Sequence, residues 1–549
     1  MVATQNCSMS VMEKLIDKKC DLNACDDHKW TALHYAAWKN HHKAAELLIK
    51  LGADANRLTI NDETPLDIAA AHNSADTLSV LIGFGADVNA SGKEHVVALH
   101  FAAWKADARA AKLLVEGGAH VDSKNSIQKT PLMVAAERNA VEVIRCLLQF
   151  KADPNAQDDH KLTPLHFAAR RNYIDSAKLL VEAGANANAV DKFKKTPLHV
   201  AIDSKAADVA RLLVDSGADV NAPDKSCRSP LHHAVMLGAT PLVELLLSKK
   251  AAVNLKTDSG ITPLMKAVIH SHLGIAKMLL DAGAQVDAAD NDKRTAFFYS
   301  VKKPNIEIVE LLLQRNVNIN CPAKKGETPL MAASSHDLVD VMTLLCKHGV
   351  KVDDTDVELR TALHYATRRN CLRAAKFLLD SGANVDAPSK SGATPIMVAS
   401  ASDLPNIIDL LMTHGANINA VGELGFTPLH YAACQNAIDA VKRLIQYGAQ
   451  MNCLDASQRT PLMIAANNDR TEIIGILLDN KADINSTGEN MWTALHYAAV
   501  TCSPAAVSLL LKRGADFRCK DVNGLTPREI AIDTNSDEVI SCFDVTLTT

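Results

Sequence analysis

Histidines recur in this sequence at a spacing that could support chemistry. Eight of them stand three residues after the first position of a recurring TPLH-like stretch: His34, His100, His166, His199, His232, His364, His430 and His496. Evenly spaced imidazoles invite a metal site, but zinc needs several ligands close together, and the sequence contains neither an HEXXH motif nor a Cys-x-x-Cys pair. One imidazole at the start of each helix is better explained by hydrogen bonds to neighbouring turns. We therefore predict a structural role for these histidines and no metal.

Two other stretches resemble ligand-binding loops. Asp353, Asp354, Asp356 and Glu358 cluster in one loop, but they lack the alternating ligands and the glycine of a calcium loop. The GADVNASGK stretch at 85–93 lacks the glycine spacing of a phosphate loop. Both are predicted to be ordinary turns, so we expect no cofactor and no catalytic residue.

The elements that carry these residues repeat with a fixed period. TALHYAA at 31–37, TPLMVAA at 130–136 and TPLHFAA at 163–169 are copies of one stretch, and sixteen such copies start exactly one period of 33 residues apart. The first positions are 31, 64, 97, 130, 163, 196, 229, 262, 295, 328, 361, 394, 427, 460, 493 and 526. A constant period without linkers predicts a continuous repeat array.

Each repeat contains signals for two helices and a turn-rich connection. Thr163 followed by Pro164 is typical of a helix N-cap and of the first helical position. Five residues after the Thr, every repeat except the one with Ser300 has Ala, which predicts a closely packed helix face. Nine residues after it, eleven repeats have Asn, Asp or Gly, which favour a left-handed helix end. A second apolar helix such as 44–53 and a polar finger such as 155–162 complete the unit.

The TPLHxAA helix start, the LLxxGAD(V)N ending and the 33-residue period together resemble the ankyrin repeat family over practically the whole chain. The resemblance implies an all-α ankyrin-repeat solenoid of helix-turn-helix units with extended, hairpin-like fingers. It also implies binding of partner proteins by the first helices and finger tips, without catalysis. The glycine usual two residues before the Thr occurs only at Gly260, Gly326, Gly392, Gly425 and Gly524, so the finger conformation elsewhere stays open.

The register divides the chain into three parts. Residues 1–30 are predicted to be a truncated repeat, 31–525 to be fifteen consecutive repeats, and 526–549 to be a C-terminal capping repeat that is more polar because of Arg528 and Glu529. Since Met1 aligns with Met133, we expect a fragment of a longer protein; the alternative is a natural start with an exposed half-repeat. The TAFFYSV repeat is either a hinge or a degenerate but packed repeat.

Tryptophans occupy the positions that contact partners in the ankyrin repeat family, directly before the Thr and seven residues after it. Trp30 and Trp492 stand before the Thr, and Trp38 and Trp104 stand after it. Exposed Trp costs solubility and is the commonest hot spot of binding, so we predict partner contacts for all four. The alternative is that each Trp covers a Leu of the neighbouring repeat.

Cations follow on the same face, seven or eight residues after the Thr: Lys39, Lys105, Arg138, Arg170, Arg171, Lys302, Lys303, Arg368 and Arg369. The fingers add Arg228, Arg294, Arg360 and Arg459, together with acidic residues. The face is therefore either a basic groove or a mixed, solvated surface. A basic groove with apolar anchors predicts protein or peptide partners that include acidic extended segments.

Composition limits the other classes of function. The net charge of -5 argues against nucleic acid as a partner, and the sequence has no apolar run long enough for membrane insertion. Thirteen cysteines, an odd number, predict reduced thiols and a cytoplasmic or nuclear location.

We expect a scaffold or adaptor that is not an enzyme. The alternative is the targeting array of a larger enzyme or channel whose catalytic or pore module lies outside this chain. The oligomeric state stays open.

Overall fold

The computed structural model describes residues 1–548, with side chains up to residue 545. These residues form pairs of short helices joined by fingers, and the part of the chain described contains no β-strand, only one isolated bridge between Ala289 and Thr295. The predicted all-α solenoid of helix-turn-helix units is confirmed. Thr549, the last residue of the predicted capping repeat, lies outside the described residues.

The helices belong to two compact units, the first spanning Met1–Gln285 and the second starting at Val286. The helices of the first unit are α1 Val2–Gln5, α2 Met9–Asp17, α3 Ala32–Trp38, α4 His42–Lys50, α5 Pro65–Ala71, α6 Ala75–Gly83, α7 Ala98–Lys105, α8 Ala108–Glu116, α9 Pro131–Arg138, α10 Val141–Gln149, α11 Pro164–Arg171, α12 Ile174–Glu182, α13 Pro197–Asp203, α14 Ala207–Asp215, α15 Pro230–Met236, α16 Thr240–Ser248, α17 Pro263–Ile269 and α18 Leu273–Asp281.

The second unit has the same alternation of helices. Its helices are α19 Ala296–Ser300, α20 Ile306–Leu313, α21 Pro329–Ser334, α22 Val339–Lys347, α23 Ala362–Arg368, α24 Leu372–Asp380, α25 Pro395–Ala401, α26 Pro405–Thr413, α27 Pro428–Gln435, α28 Ile438–Gln446, α29 Pro461–Asn467, α30 Thr471–Asp479, α31 Ala494–Val500, α32 Pro504–Lys512, α33 Pro527–Asp533 and α34 Asp537–Thr548. Lys93–His95 and Glu489–Met491 form short 3-10 turns in two of the fingers.

Small buried side chains set the distance between the first helices of successive repeats. The residue five positions after the Thr is buried in every repeat, and Ala168 on α11 is completely inaccessible. Helix α11 packs against α9 on one side and α13 on the other. An alanine at this point lets the helices approach closely, and a larger side chain has no space to occupy.

We expect Ala168→Leu to lower the free energy of unfolding of the first unit by about 1 to 3 kcal/mol, because extra methylene groups overpack this seam. Arg171→Leu, on the exposed end of the same helix, controls for adding a leucine to α11. Urea unfolding measures the cost, and hydrogen exchange shows where it falls. Equal stability of the two variants, or loss of protection spread evenly through both units, would contradict close packing at Ala168.

Left-handed residues end the first helix, as predicted. The residue nine positions after the Thr has a positive φ in every repeat but one, and Asn139 and Asn172 are examples, at 56° and 57°. The exception is Pro304, whose ring holds φ near -65° and excludes this conformation. Helix α19 accordingly ends early, at Ser300. Because Phe297 and Phe298 are nonetheless fully buried, the irregular TAFFYSV repeat is packed.

All sixteen fingers have a left-handed residue at the same position, which answers the question left open by the sequence, and the two fingers with 3-10 turns have a second one, at Glu94 and Asn490. The residue two positions before the Thr has a positive φ throughout, whether it is Gly, as at Gly326 with 79°, or not, as at Lys161 with 59° and Leu359 with 54°. Backbone hydrogen bonds also join neighbouring fingers, for example from Lys192 N to His160 O at 3.0 Å. Each finger is thus fixed by the finger beside it.

The recurring histidines cap their helices and connect repeats. His166 Nδ1 accepts the backbone N–H of Thr163 at 3.1 Å, and its Nε2 lies 3.1 Å from the carbonyl oxygen of Lys195 in the next repeat. A neutral ring protonated on Nε2 satisfies both contacts. In other repeats a methionine replaces the imidazole, and the sulfur of Met265 accepts the backbone N–H of Thr262 at 3.5 Å. The geometry agrees with the predicted structural role.

Burial keeps these imidazoles neutral. Desolvation lowers the pKa of His34, His199 and His232 to about 4, although hydrogen bonds to backbone carbonyl oxygens act in the opposite direction. Burial also lowers the pKa of the other histidines of this set: His100, His166, His364, His430 and His496.

Candidate partner-binding surface

An aromatic cluster lies on the first complete repeat. The ring of Trp30 is 5.2 Å from that of Tyr35 and meets Trp38 edge-on at 6.0 Å. The ammonium group of Lys39 lies 3.8 Å from the centre of the Trp38 ring. Both tryptophans are half-buried. The cluster therefore keeps part of each indole against the protein and part open to a partner.

Trp104 is the most exposed tryptophan, with 46% of its surface accessible. Lys105 Nζ lies 4.6 Å from its ring centre and the Arg138 guanidinium 4.9 Å. Arg138 Nε also donates to the Trp104 carbonyl oxygen at 3.4 Å. Trp104, Arg138, Arg171 and Tyr173 line one cleft of 560 Å³. The cleft thus brings together three predicted site residues, Trp104, Arg138 and Arg171, which are dispersed over three repeats.

The cations of this region keep their charge available. Glu137 also lines the cleft, but it is paired with Lys129 at 2.8 Å. Among the described residues no carboxylate forms an ion pair with Lys105, Arg138 or Arg171, and the same holds for Lys39 and Arg170. Arg170 lines a different cleft, of 620 Å³, together with Phe193 of the following finger.

The arginines of the fingers are neutralised instead. Arg228 pairs with Asp224 at 2.9 Å and Arg360 with Asp356 at 2.7 Å, and these aspartates are almost completely buried. Arg294 and Arg459 make the same contact with Asp290 and Asp455. In the first unit the two alternatives for the charged face are therefore separated by position, since Arg228 of the finger is paired and the cations at the ends of α3, α7, α9 and α11 are not. In the second unit Lys302, at such a helix end, is itself paired.

The sequence analysis missed the residue that organises these fingers. Five residues before the Thr, an aspartate accepts backbone N–H groups of the turn, as Asp224 Oδ1 does from Ser226 at 2.8 Å and from Arg228 at 2.9 Å. Thr257 does the same with its hydroxyl in another repeat, accepting from Ile261 at 3.1 Å. The recurrence of Asp, Asn, Ser or Thr at this position was the available signal.

A buried ionic network, also missed, lies beside the cleft of Arg170. His233 Nδ1 is 2.7 Å from Asp203 and Nε2 is 3.1 Å from Asp224, and Lys195 contacts Asp203 at 2.6 Å. Each ring nitrogen of His233 thus faces a carboxylate oxygen. Burial favours a higher pKa for both aspartates, but hydrogen bonds from Arg228, His233 and Lys195 outweigh it and lower both values to about 2.

In the second unit, Lys302, Arg368 and Arg369 line a single cleft of 480 Å³. Lys302 is paired with Glu327 at 3.5 Å, whereas Lys303 is exposed and does not line the cleft. This cleft brings together three further predicted site residues.

Trp492 differs from Trp104 because its polar group is already engaged. Its Nε1 donates to Asp521 of the next finger at 3.3 Å, and its ring stacks on His496 at 6.2 Å. This side chain therefore contributes to the packing between two fingers.

Three properties hold for the described part of the chain as a whole. It contains no group of three or more His, Cys, Asp or Glu side chains placed to hold a metal ion. None of its helices combines the length and the apolar character that crossing a bilayer requires. None of the thirteen cysteines, all of which lie among the described residues, forms a disulfide.

Comparison with known families agrees with the observed repeat. A family model described as ankyrin repeats (3 copies) matches overlapping segments of the chain: 1–92, 99–191, 152–224, 183–256, 231–323, 297–389, 353–422, 382–455 and 429–521. No curated protein matches the chain.

Proposed function

This chain belongs to the ankyrin repeat family, and we propose that it is a non-catalytic scaffold or adaptor whose first unit binds an acidic, extended segment of a partner protein. Ankyrin repeats are generally protein-protein interaction modules. The observation that carries the proposal is Trp104, exposed between the cations of Lys105 and Arg138. Free thiols fit a cytoplasmic or nuclear protein, where the environment is reducing.

The chemistry of the surface defines the segment. Trp104 offers a flat apolar face to an anchor side chain, and the unpaired guanidinium groups of Arg138 and Arg171 can each receive a carboxylate. Trp38 and Lys39 stand at the equivalent positions two repeats earlier. Helices packed at about 8 to 10 Å place these two sites roughly 20 Å apart. An extended segment of about six residues covers this distance.

We expect Trp104→Ala to weaken binding by about 2 kcal/mol, because Trp buried by a partner is a hot spot. Arg171→Glu should mainly slow association and reduce its dependence on salt. The probe is an acidic peptide with apolar anchors, selected on the full chain from a displayed peptide library and measured by calorimetry and stopped flow. Lys178→Glu, exposed on the second helix of the same repeat, controls for the change of charge.

Two results would contradict the proposal. One is a selection that yields no enrichment of Asp and Glu over the starting library. The other is unchanged affinity of the selected peptides for a folded Trp104→Ala variant, since the tryptophan would then serve packing alone.

A further inference from the structure

The 480 Å³ cleft of the second unit is lined by cations and by other polar side chains. Arg368 ends helix α23 and Arg369 follows it, and both side chains are exposed. Lys302 is half-buried, lies 4.6 Å from the Phe298 ring and is paired with Glu327. The lysine and the glutamate therefore compensate each other. Among the described residues neither arginine has a carboxylate partner, so the cleft has two uncompensated guanidinium groups.

The remaining acid near this cleft is unavailable to them. Tyr365, which lines the cleft, donates its hydroxyl to Asp356 at 2.8 Å. Asp356 is buried and also receives the guanidinium of Arg360 at 2.7 Å. Glu327 and Asp356 thus have cationic partners of their own. An anion from outside can therefore pair with Arg368 and Arg369 without competing with a carboxylate of the chain.

A second, apolar cleft adjoins the first. It has a volume of 270 Å³, and Arg368 lines both clefts. Its other walls include Met397 and Val398 on α25 and Tyr431 on α27. The step from α23 to α25 is one repeat, about 8 to 10 Å, which an extended peptide covers in about three residues. One bound segment can therefore fill both clefts.

We propose that the second unit binds a segment that carries a phosphorylated serine or threonine, with an apolar residue about three positions away. A phosphate monoester carries between one and two negative charges near neutral pH and offers three acceptor oxygens. Two guanidinium groups match that charge and geometry through paired hydrogen bonds, whereas one carboxylate would leave a guanidinium uncompensated. The apolar side chain occupies the cleft beside Val398.

This inference rests on the protein-binding role proposed above, but it uses other residues on the other unit. Trp104→Ala should therefore leave phosphopeptide binding unchanged. If the chain binds phosphopeptides but no acidic peptides, only the proposal for the first unit fails. If it binds acidic peptides but no phosphopeptides, only the proposal for the second unit fails.

The test uses the full chain and three matched peptide libraries with a fixed central residue: phosphoserine, serine or glutamate. The phosphoserine library should bind best and should be enriched in apolar residues about three positions from the phosphate on one side. Arg368→Gln and Arg369→Gln should each weaken the selected phosphopeptide by roughly tenfold or more. Arg373→Gln, exposed on helix α24, removes the same charge elsewhere in the repeat and should have no effect.

Three outcomes would overturn the proposal. Equal binding of the glutamate and phosphoserine libraries shows that the cleft does not select phosphate. Equal affinity of folded Arg368→Gln and Arg373→Gln variants places the phosphate elsewhere. If inorganic phosphate competes for the site as strongly as the selected peptide does, and the library shows no preference for apolar residues, the apolar cleft takes no part in binding. Circular dichroism confirms that each variant is folded.

Discussion

Acidification from pH 6.5 to pH 4 should destabilise the first unit strongly, because its capping histidines must then accept protons in a buried site. For His34, His199 and His232 the pKa falls from 6.5 in the unfolded chain to about 4 in the fold. Each pKa shift changes the free energy of unfolding by on the order of 3 kcal/mol over the whole range between the two pKa values. This contribution is complete above pH 6.5 and is lost as the pH falls towards 4.

Carboxylates change the profile in predictable ways. Asp203 and Asp224, whose pKa values are lowered to about 2, lose their stabilising effect only below pH 4. Asp67 acts in the opposite sense, because burial raises its pKa to about 7 and the folded state is then favoured as the pH falls from 7 towards 4. A difference between a variant and the parent chain isolates the histidine contribution from these effects.

His34→Met provides that difference, since methionine occupies the same capping position at Met265 and accepts the equivalent N–H group. The stability lost between pH 6.5 and pH 4 should be smaller in this variant by on the order of 3 kcal/mol. Thermal unfolding and hydrogen exchange at a series of pH values measure it. His42→Met, an exposed substitution in the same repeat, is the control. Parallel pH profiles of the parent and His34→Met would refute the assignment.

Removing the Asp224 carboxylate should cost about 3 to 5 kcal/mol, the usual effect of breaking a buried ion pair from one side. Asp224→Ala leaves His233 and Arg228 without their shared acceptor and removes two hydrogen bonds to the finger backbone. The loss should appear in urea unfolding of the first unit. It should also appear as faster hydrogen exchange in the finger at 224–228.

Two substitutions taken from other repeats divide this effect into its parts. Asp224→Thr copies Thr257 and keeps a turn hydrogen bond without the charge, so it should cost less than Asp224→Ala. His233→Tyr copies Tyr365, whose hydroxyl donates to the finger aspartate at 2.8 Å, so it should be the mildest of the three. If all three variants were as stable as the parent chain, the network would contribute nothing to folding.

The period and the residue types within it were sufficient to predict the helices, because each signal acts locally. Thr and Pro start a helix, as at Thr163 and Pro164, and Asn139 ends one with a left-handed residue, independently of distant residues. The backbone conformation of the finger turn was harder to predict from the sequence. Lys161 has no intrinsic preference for a positive φ, and the hydrogen bonds that hold it there come from its own finger and the next one.

The charged surface shows the same division between local and nonlocal information. The sequence placed Arg138 and Arg228 in one set of cations, although only Arg228 has a buried aspartate four residues away. Trp104 and Trp492 likewise shared a prediction, but the contact of Trp492 with Asp521 depends on the neighbouring finger. His233 was missed because both of its acceptors, Asp203 and Asp224, belong to the preceding repeat. The contacts of Trp492 and His233 are made between repeats, where the sequence period carries no information.

The common conformation of the sixteen finger tips bears on how such a protein acquires new partners. Since Lys, Asp, Gln, Cys, Leu, Met and Gly all occupy the left-handed tip position, the penalty for a non-glycine residue there, roughly 1 to 2 kcal/mol, is one that the array tolerates. At tips that already carry a side chain, point mutations can thus change the exposed chemistry one repeat at a time. At Gly326, Gly392 and Gly425 a side chain would instead meet the backbone of the next finger within 3 Å. Recognition and folding can evolve at different rates in the same chain.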